Sequence, residues 1–587
     1  MGSKLIQILP INDTRVFGDF RDSYPYSAIS AFALHPIYIH LQALPGITEE
    51  MLEEIDEFTK RSNDPNEVDY DPRIQFDYPN TIKFKEEIIQ RAFDNCIDSF
   101  KDDKDFNNWV DNSKAWLHWY ATFLYFRKIN NEPKWENWPK EHTTNLTMEK
   151  IQSFCSPDHA AYKDILLVFF TQYNLHLQLL EATQYAAKHG VCVKGDIPIG
   201  VDRNSVDAWK DQDEYKLDRS IGAPPDPFSA TGQNWLFPPY DFDVMLSKSD
   251  PLAWWTTRMK HMSIYFHAFR IDHVIGLFRI WEIRADAKTA IMGRFEPTIK
   301  FSESDLRNQY GLWDFERLSL PYVTEDILGK WFGIDKDEVQ GRYFIHQHDR
   351  LQFKPELLVS ELAMLSKLDE DLAKEVKENP DQDKYMLESK YFDWKNKLLS
   401  LWNERVLIEE EEHGQVFYYP LFDAKKTTSF RHLSPGDQAI ISTIHELYCY
   451  GTIQNDVWKS SAYRKLPQIA HCHDMLVCGE DLGVVPACVE ETLEDLRILG
   501  LRIQRMPPNP KKEFGHPDDP QLYNWMTVSS PSTHDMPSLQ HWCLEDRDRL
   551  QRFCSNILGV HEIPGASDIA MRVFQQHIYG RSMWTIF

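Results

Sequence analysis

The chain has 587 residues, several times the usual single-domain size, so one large core with insertions or two to three domains is expected. A hydrophobic fraction of 42% with 18 tryptophans supplies a substantial core and excludes a disordered chain. A formal net charge of −26 argues against nucleic acid, which is bound through clustered Lys and Arg, and fits a neutral or cationic partner. Nine scattered cysteines without a CxxC pair point to reduced thiols and a cytoplasmic setting. No apolar run approaches the ~18 residues of a membrane span, and "MGSKLIQILPIND" carries too short an apolar run for a signal peptide.

In chain order, the first expected strand lies in "KLIQILPIND" (4–13). Residues 45–160 follow as a charged, helical excursion with a proline-marked break at "NDPNEVDYDPR". The helical run "DILLVFFTQYNLHLQLLEATQYAAKHG", with Gly190 at the C-cap position, leads into the strand "VCVKGDIPI" (191–199). A second helix, "PLAWWTTRMKHMSIYFHAF", leads into "AFRIDHVIG" (268–276). Residues 301–470 read as a helical insertion: "FKPELLVSELAMLSKLDEDLAKEVKE" and "KYFDWKNKLLSLWNERVLIEEEEHG" combine 3.6-like periodicity with dense alternating charge. "MLVCGEDLG" (475–483), "LRIQRMP" (501–507) and "WMTVSSPSTHD" (525–535) complete a set of six strands.

Near-continuous apolar strands alternating with helices predict an α/β fold with a parallel sheet covered on both faces. No GxGxxG, GxxxxGK[ST] or GxSxG is present. The polar residues gather instead at the C-terminal ends of several strands, the habit of a (β/α)8 TIM barrel. The division that follows is a barrel built from 1–300 and 471–587, interrupted by 301–470.

The chemistry starts at "FRIDHVIG". In a strand, Arg270 and Asp272 share a face, which in a barrel is the lumen, and His273 ends the strand. An arginine beside the aspartate is expected to keep it ionised. From this segment alone, a nucleophile and a purely structural ion pair remain open. "VCGEDLG" places Glu480 and Asp481 at the next strand tip; only one can face the lumen, and the other can cap a loop or helix. A glutamate facing Asp272 across the lumen is expected to have a raised pKa and to act as a protonated acid. Asp535, beside His534 in "PSTHDMPSL", ends a later strand. Three carboxylates on three strands suit retaining glycoside chemistry: a nucleophile, an acid/base, and a stabiliser of the oxocarbenium-like transition state. "HCHD" (471–474) lacks the second ligand pair of a structural metal site, and "IHELY" (444–448) lacks the second histidine of a metalloprotease helix, so no metal is expected.

"FRIDHVIG", "CGEDLG" and "STHDMPS", in that order, resemble the motifs of the amylomaltases, the 4-α-glucanotransferases of glycoside hydrolase family 77. "DSYPYSAISAFALHPIYI" (22–39), "GDIPIGV" (195–201) and "GAPPDPFSATGQNWLFPPYDFDVM" (222–245) agree with it. The resemblance implies Asp272 as nucleophile, Glu480 as acid/base and Asp535 as transition-state stabiliser. It implies sugar binding at the cleavage point by Arg270, His273 and His534, and places Tyr26, Asp196, Gln233 and Trp235 in motifs lining the glucan groove. Plain core packing is the other reading of Trp235. The gap of 208 positions between Asp272 and Glu480 (480 − 272) resembles plant-type disproportionating enzymes, which pass a glucosyl unit from maltose to a glucan such as glycogen or a starch-derived chain. The insertion would then be a solvated helical subdomain or a glucan-contacting or oligomerising surface. No cofactor is implied, since acid, base and nucleophile are side chains. A hydrolase on the same barrel and a non-catalytic glucan-binding fragment are the alternatives. The family's barrel also implies strands before "KLIQILPI" and after "SMWTIF". The expectation is therefore a barrel lacking its first and last strands, with two unpaired edges.

Overall fold

A computed structural model describes residues 2–62, 76–226, 229–348, 350–380, 382–509 and 511–587. The proline-marked break at 63–73 lies outside them. Seven strands form one parallel sheet in sequence order: β1 (Leu5–Gln7), β2 (Cys192–Ile197), β3 (Ala268–Ile271), β4 (Leu476–Gly479), β5 (Leu499–Ile503), β6 (Thr527–Ser530) and β7 (Trp584–Thr585). Among the described residues, β1 and β7 each keep one unpaired edge, so the (β/α) barrel stays open. The six expected strands are all present. The seventh, in "SMWTIF", corrects the count, and it escaped notice because two residues show no periodicity.

The register explains the mouth of the barrel. Asp196 is level with Arg270, and Arg270 with Cys478, so the three point to one face of the sheet. Asp272 and Glu480 stand one pleat further toward the C-terminal ends, on that same face. Before β2 runs the helix Tyr162–Lys188, which ends where Gly190 takes a positive φ of 70°. The excursion is helical as expected: Tyr78–Phe100 and Lys104–Asn130 start on Asp77 and Asp103, whose carboxylates accept from amides of the first turn. Among the described residues no helix is long and apolar enough to cross a membrane.

Residues 301–470 depart from the purely helical expectation. The helix Lys384–Trp402 stops short, and Leu407–Glu412 pairs antiparallel with Gln415–Pro420 through His413 and Gly414, both at positive φ. A second hairpin joins Phe344–Gln347 to Arg350–Phe353. The glutamate run that reads as a helical charge pattern is an alternating strand. Glu410 bonds Arg294 and Arg219, each at 2.7 Å, and Glu412 meets Lys300. Arg219 and Arg294 belong to an antiparallel sheet of Arg219–Ala223, Gln233–Asn234, Ile280–Arg284 and Arg294–Glu296, so this ion network ties the segment to the sheet carrying Gln233. Residues 323–402 also enclose a hydrophobic cluster of their own, around Tyr343, Tyr391 and Trp394.

Candidate active site

Backbone bonds continue past the strand ends and fix the residues that follow. The Asp272 amide donates to Ile197 O, the Glu480 amide to Ile271 O, and the Val274 amide to Glu480 O, at 3.0, 3.0 and 3.1 Å. Gly195 and Gly479 precede Asp196 and Glu480, and both allow a close approach from behind. A Cβ at either would come within 2.4 Å of the Phe266 ring or 2.8 Å of Val274. His273 adopts a left-handed φ of 46°, uncommon for a residue with a side chain. That turn aims the His273 amide at Glu480 Oε2, 2.8 Å away.

Arg270 organises the mouth. Its side chain is 6% exposed; Nη1 lies 2.7 Å from Asp196 Oδ2 and 3.0 Å from Asp272 Oδ1, and Nη2 lies 2.9 Å from Glu480 Oε2. Tyr26 donates its hydroxyl to Asp196 Oδ2 at 2.8 Å, and the Tyr26 hydroxyl oxygen also lies 2.8 Å from His534 Nε2. The His534 ring stacks on Tyr26, with centroids 5.6 Å apart and planes 10° apart. His534 Nε2 is also 3.3 Å from Asp535 Oδ2. Asp535 therefore reaches the Arg270 cluster through His534 and Tyr26, from an exposed rim, while Asp272 and Glu480 form a direct hydrogen-bonded pair. Trp235 is half-buried against the core and meets the His273 ring edge-on at 4.8 Å. Its indole N–H donates to Gln233 Oε1 at 3.0 Å.

Of the two acids at the fourth strand tip, Glu480 faces the lumen and Asp481 does not. Asp481 accepts from the Leu501 amide at 2.7 Å and from Arg502 Nη1 at 2.8 Å, locking β4 to β5.

The pair's proton order is a correction. Burial, then the charge of Glu480, pushes the Asp272 carboxyl well above the usual range in spite of Arg270. Burial also opposes ionisation of Glu480, yet the Arg270 charge and the His273 amide outweigh it and hold its pKa below the ordinary value. The sequence reading expected the reverse. Glu480 Oε2 collects two donors, whereas Asp272 shares Nη1 of Arg270 with the buried Asp196. Two carboxyls in contact share one proton between them, and the donors gathered on Glu480 favour Asp272 as its carrier. Burial pushes His273 down to about 4, which leaves its ring neutral at pH 7.

Two residues beside the candidate site were missed. Tyr24, exposed at the rim, has its hydroxyl pKa raised by burial and by the charges of Asp272, Asp535 and Glu480, which places it among all three acids. Its position in "DSYPYS", two residues before Tyr26, was the available signal. Arg505 donates from Nε to Pro531 O at 3.0 Å and from Nη2 to Pro537 O at 2.7 Å, clasping the loop that carries His534 and Asp535.

An open parallel barrel with paired carboxyls at its C-terminal mouth defines the class: (β/α) barrels that gather acidic side chains at the strand tips. The family model for the 4-alpha-glucanotransferases, glycoside hydrolase family 77, matches residues 1–587, and the chain belongs to that family. The 4-alpha-glucanotransferase DPE2 of Oryza sativa subsp. japonica is 36% identical over 591 residues, covering 100% of this chain and 59% of that protein. A 4-alpha-glucanotransferase of Chlamydia pneumoniae is 32% identical over 298 residues, 50% of this chain and 52% of its own. The chain thus spans between half and three-fifths of these relatives' lengths. Among solved structures, an amylomaltase from Streptococcus agalactiae in complex with acarbose superposes with a TM-score of 0.58 at 17% identity, covering 99% of this chain and 82% of that one.

Proposed function

We propose that the chain is a retaining 4-α-glucanotransferase that moves a glucosyl unit from maltose or a malto-oligosaccharide to an α-glucan acceptor such as glycogen or a starch-derived glucan. The observation that carries this reading is the Asp272–Glu480 pair under the Arg270 fork. A glycosidic linkage entering between the two carboxyls replaces their mutual hydrogen bond. The shared proton then passes to Glu480, beside the bridging oxygen, and leaves Asp272 ionised against Arg270. Asp272 attacks the anomeric carbon as Glu480 protonates the leaving oxygen, forming a glucosyl–Asp272 ester. A glucan 4-hydroxyl, deprotonated by Glu480, opens the ester with overall retention. Asp535, steadied by His534, stabilises the positive charge that develops on the sugar ring. Arg270, His273 and His534 bind the sugar at the cleavage point. Tyr26, Asp196, Gln233 and Trp235 line the approach, with Trp235 offering an indole to the sugar's apolar face.

The family membership, the rice relative's name and the fold neighbour's acarbose complex support a saccharide in this mouth. We take 1–300 and 471–587 as the barrel and 301–470 as an insertion, supported by the separate cluster within 323–402. A cytoplasmic setting is supported by nine free thiols. Chromatography of products from maltose plus glycogen tests the proposal. Free glucose together with lengthened glucan chains, both absent with Asp272→Asn, is expected. Glucose without chain lengthening marks a hydrolase, and glycogen binding without turnover marks a non-catalytic protein.

A further inference from the structure

The contact between Asp272 and Glu480 depends on how two stretches of chain sit against each other. Asp272 and His273 lead into the turn Val274–Leu277, and Glu480 leads into a loop that passes Gly483 at a φ of 98°. Asp481 ties that loop to β5 on its far side. On the near side two bonds join it to the chain that follows β3. The Val274 amide donates to Glu480 O at 3.1 Å, and Arg279 Nη2 donates to Val484 O at 2.7 Å.

Arg279 is buried, and its own amide donates to Ile275 O at 2.9 Å, which fixes its stem to the turn after His273. Its guanidinium carbon lies 3.7 Å from the Phe295 ring centroid and 4.1 Å from that of Trp458. Trp458 belongs to the 301–470 segment and is itself held by its indole, which donates to Pro297 O at 2.9 Å. Burial pushes Arg279 down to about 10, so it stays charged at pH 7. The titratable groups that face this charge are Cys449, Tyr448, Cys488 and Tyr450, and burial raises the pKa of each, so all four are neutral there. A buried cation without a carboxylate beside it is costly, and a methionine would fill the same gap between two rings. What the guanidinium adds is a flat cation that stacks on both faces and still donates from its rim. That donor goes to the loop carrying Glu480.

We propose that Arg279 is a positioning residue that holds Glu480 against Asp272, and that the 301–470 segment takes part in this hold through Trp458. Without Arg279 the loop keeps its bond to Val274 and its tie to β5, and nothing opposes a drift of Val484 away from the β3 side. The contact between the two carboxyls then slackens, and a misplacement of about 1 Å at reacting groups costs on the order of a hundredfold in rate. The consequence for rate rests on the glucanotransferase reading; the contact between the carboxyls does not.

A double-mutant cycle in melting temperature, run on the full chain, tests the hold without recourse to activity. Asp272→Asn relieves the shared-proton contact and raises the melting temperature; in the Arg279→Met background, where that contact has already slackened, the gain is expected to shrink by about half or more. Maltose kinetics test the consequence. In Arg279→Met, kcat is expected to fall on the order of 100-fold with KM changed less than about threefold, and Arg279→Lys, which keeps a charged donor between the rings, is expected to recover to within about tenfold of wild type. If Arg279→Met does not fold, the cycle is read on Arg279→Lys, where a smaller cut in the gain is expected. An Asp272→Asn gain that is the same with and without the Arg279 substitution, or a kcat that falls only as far as the folded fraction does, overturns the proposal. A wild-type chain that leaves maltose unchanged sinks the glucanotransferase reading instead, and the melting cycle alone then decides the role of Arg279.

Discussion

Replacing Arg270 by methionine removes a buried cation that touches Asp196, Asp272 and Glu480. Its nitrogens lie 2.7, 3.0 and 2.9 Å from Asp196, Asp272 and Glu480, in a cluster whose side chains are at most 21% exposed. Each such attraction is about 4 kcal/mol at 4 Å and an effective dielectric constant near 20. Protonation caps the loss, since neutralising a carboxyl of ordinary pKa at pH 7 costs about 4 kcal/mol. Asp272 is the favoured carrier of the pair's proton, so the main loss falls on Glu480 and Asp196. The expected destabilisation is about 3–5 kcal/mol, the range for removing one partner of a buried ion pair. Its sign with pH follows from linkage. Without Arg270, Glu480 and Asp196 have folded-state pKa values above their unfolded ones. The folded variant then binds more protons than the unfolded chain, and its stability falls as pH rises from about 5 to 8. Urea denaturation across that interval, with Arg270→Lys alongside to retain charge without the fork, measures both quantities. A loss below about 1 kcal/mol, or one constant with pH, would refute the account of Arg270.

Asp272→Asn is expected to lower kcat on the order of 10⁴–10⁶-fold while raising the melting temperature, because it relieves two carboxyls forced to share a proton; activity assay and calorimetry read the two effects. Asp481→Asn should destabilise the chain by about 3–5 kcal/mol through Arg502 and leave the shape of the activity–pH profile unchanged, which separates its role from that of Glu480. His273→Val places a β-branched residue at φ 46° and should cost about 1–3 kcal/mol in denaturant titration, whereas His273→Asn, which tolerates that conformation, should cost less. Arg505→Met should raise KM for glucan more than it changes stability, since it frees the loop bearing His534 and Asp535.

The lumen-facing pattern was readable because it is local. Two-residue spacing in "FRIDH" is enough to put Arg270 and Asp272 on one face, and adjacency in "GEDLG" is enough to send Glu480 and Asp481 opposite ways. Interactions across strands were not readable. That Asp196 sits level with Arg270, and so draws on the same guanidinium nitrogen as Asp272, is a matter of register between β2 and β3. That competition, with the His273 amide on Glu480, reverses the expected proton order. The Leu407–Glu412 strand was taken for helix because a run of glutamates resembles a solvated helical face until Arg294 and Arg219 are seen opposite Glu410. Arg505 could not be found at all, since clasping a loop through backbone carbonyls leaves no sequence pattern.

The most direct test of the chemistry is covalent capture of the glucosyl–enzyme ester with a fluorinated glucosyl donor that slows its breakdown, followed by peptide mass spectrometry. The sugar is expected on the peptide containing Asp272, with no label in Asp272→Asn. A label on Glu480 or Asp535, or none on a chain that turns over maltose, would contradict the assignment of Asp272 as nucleophile.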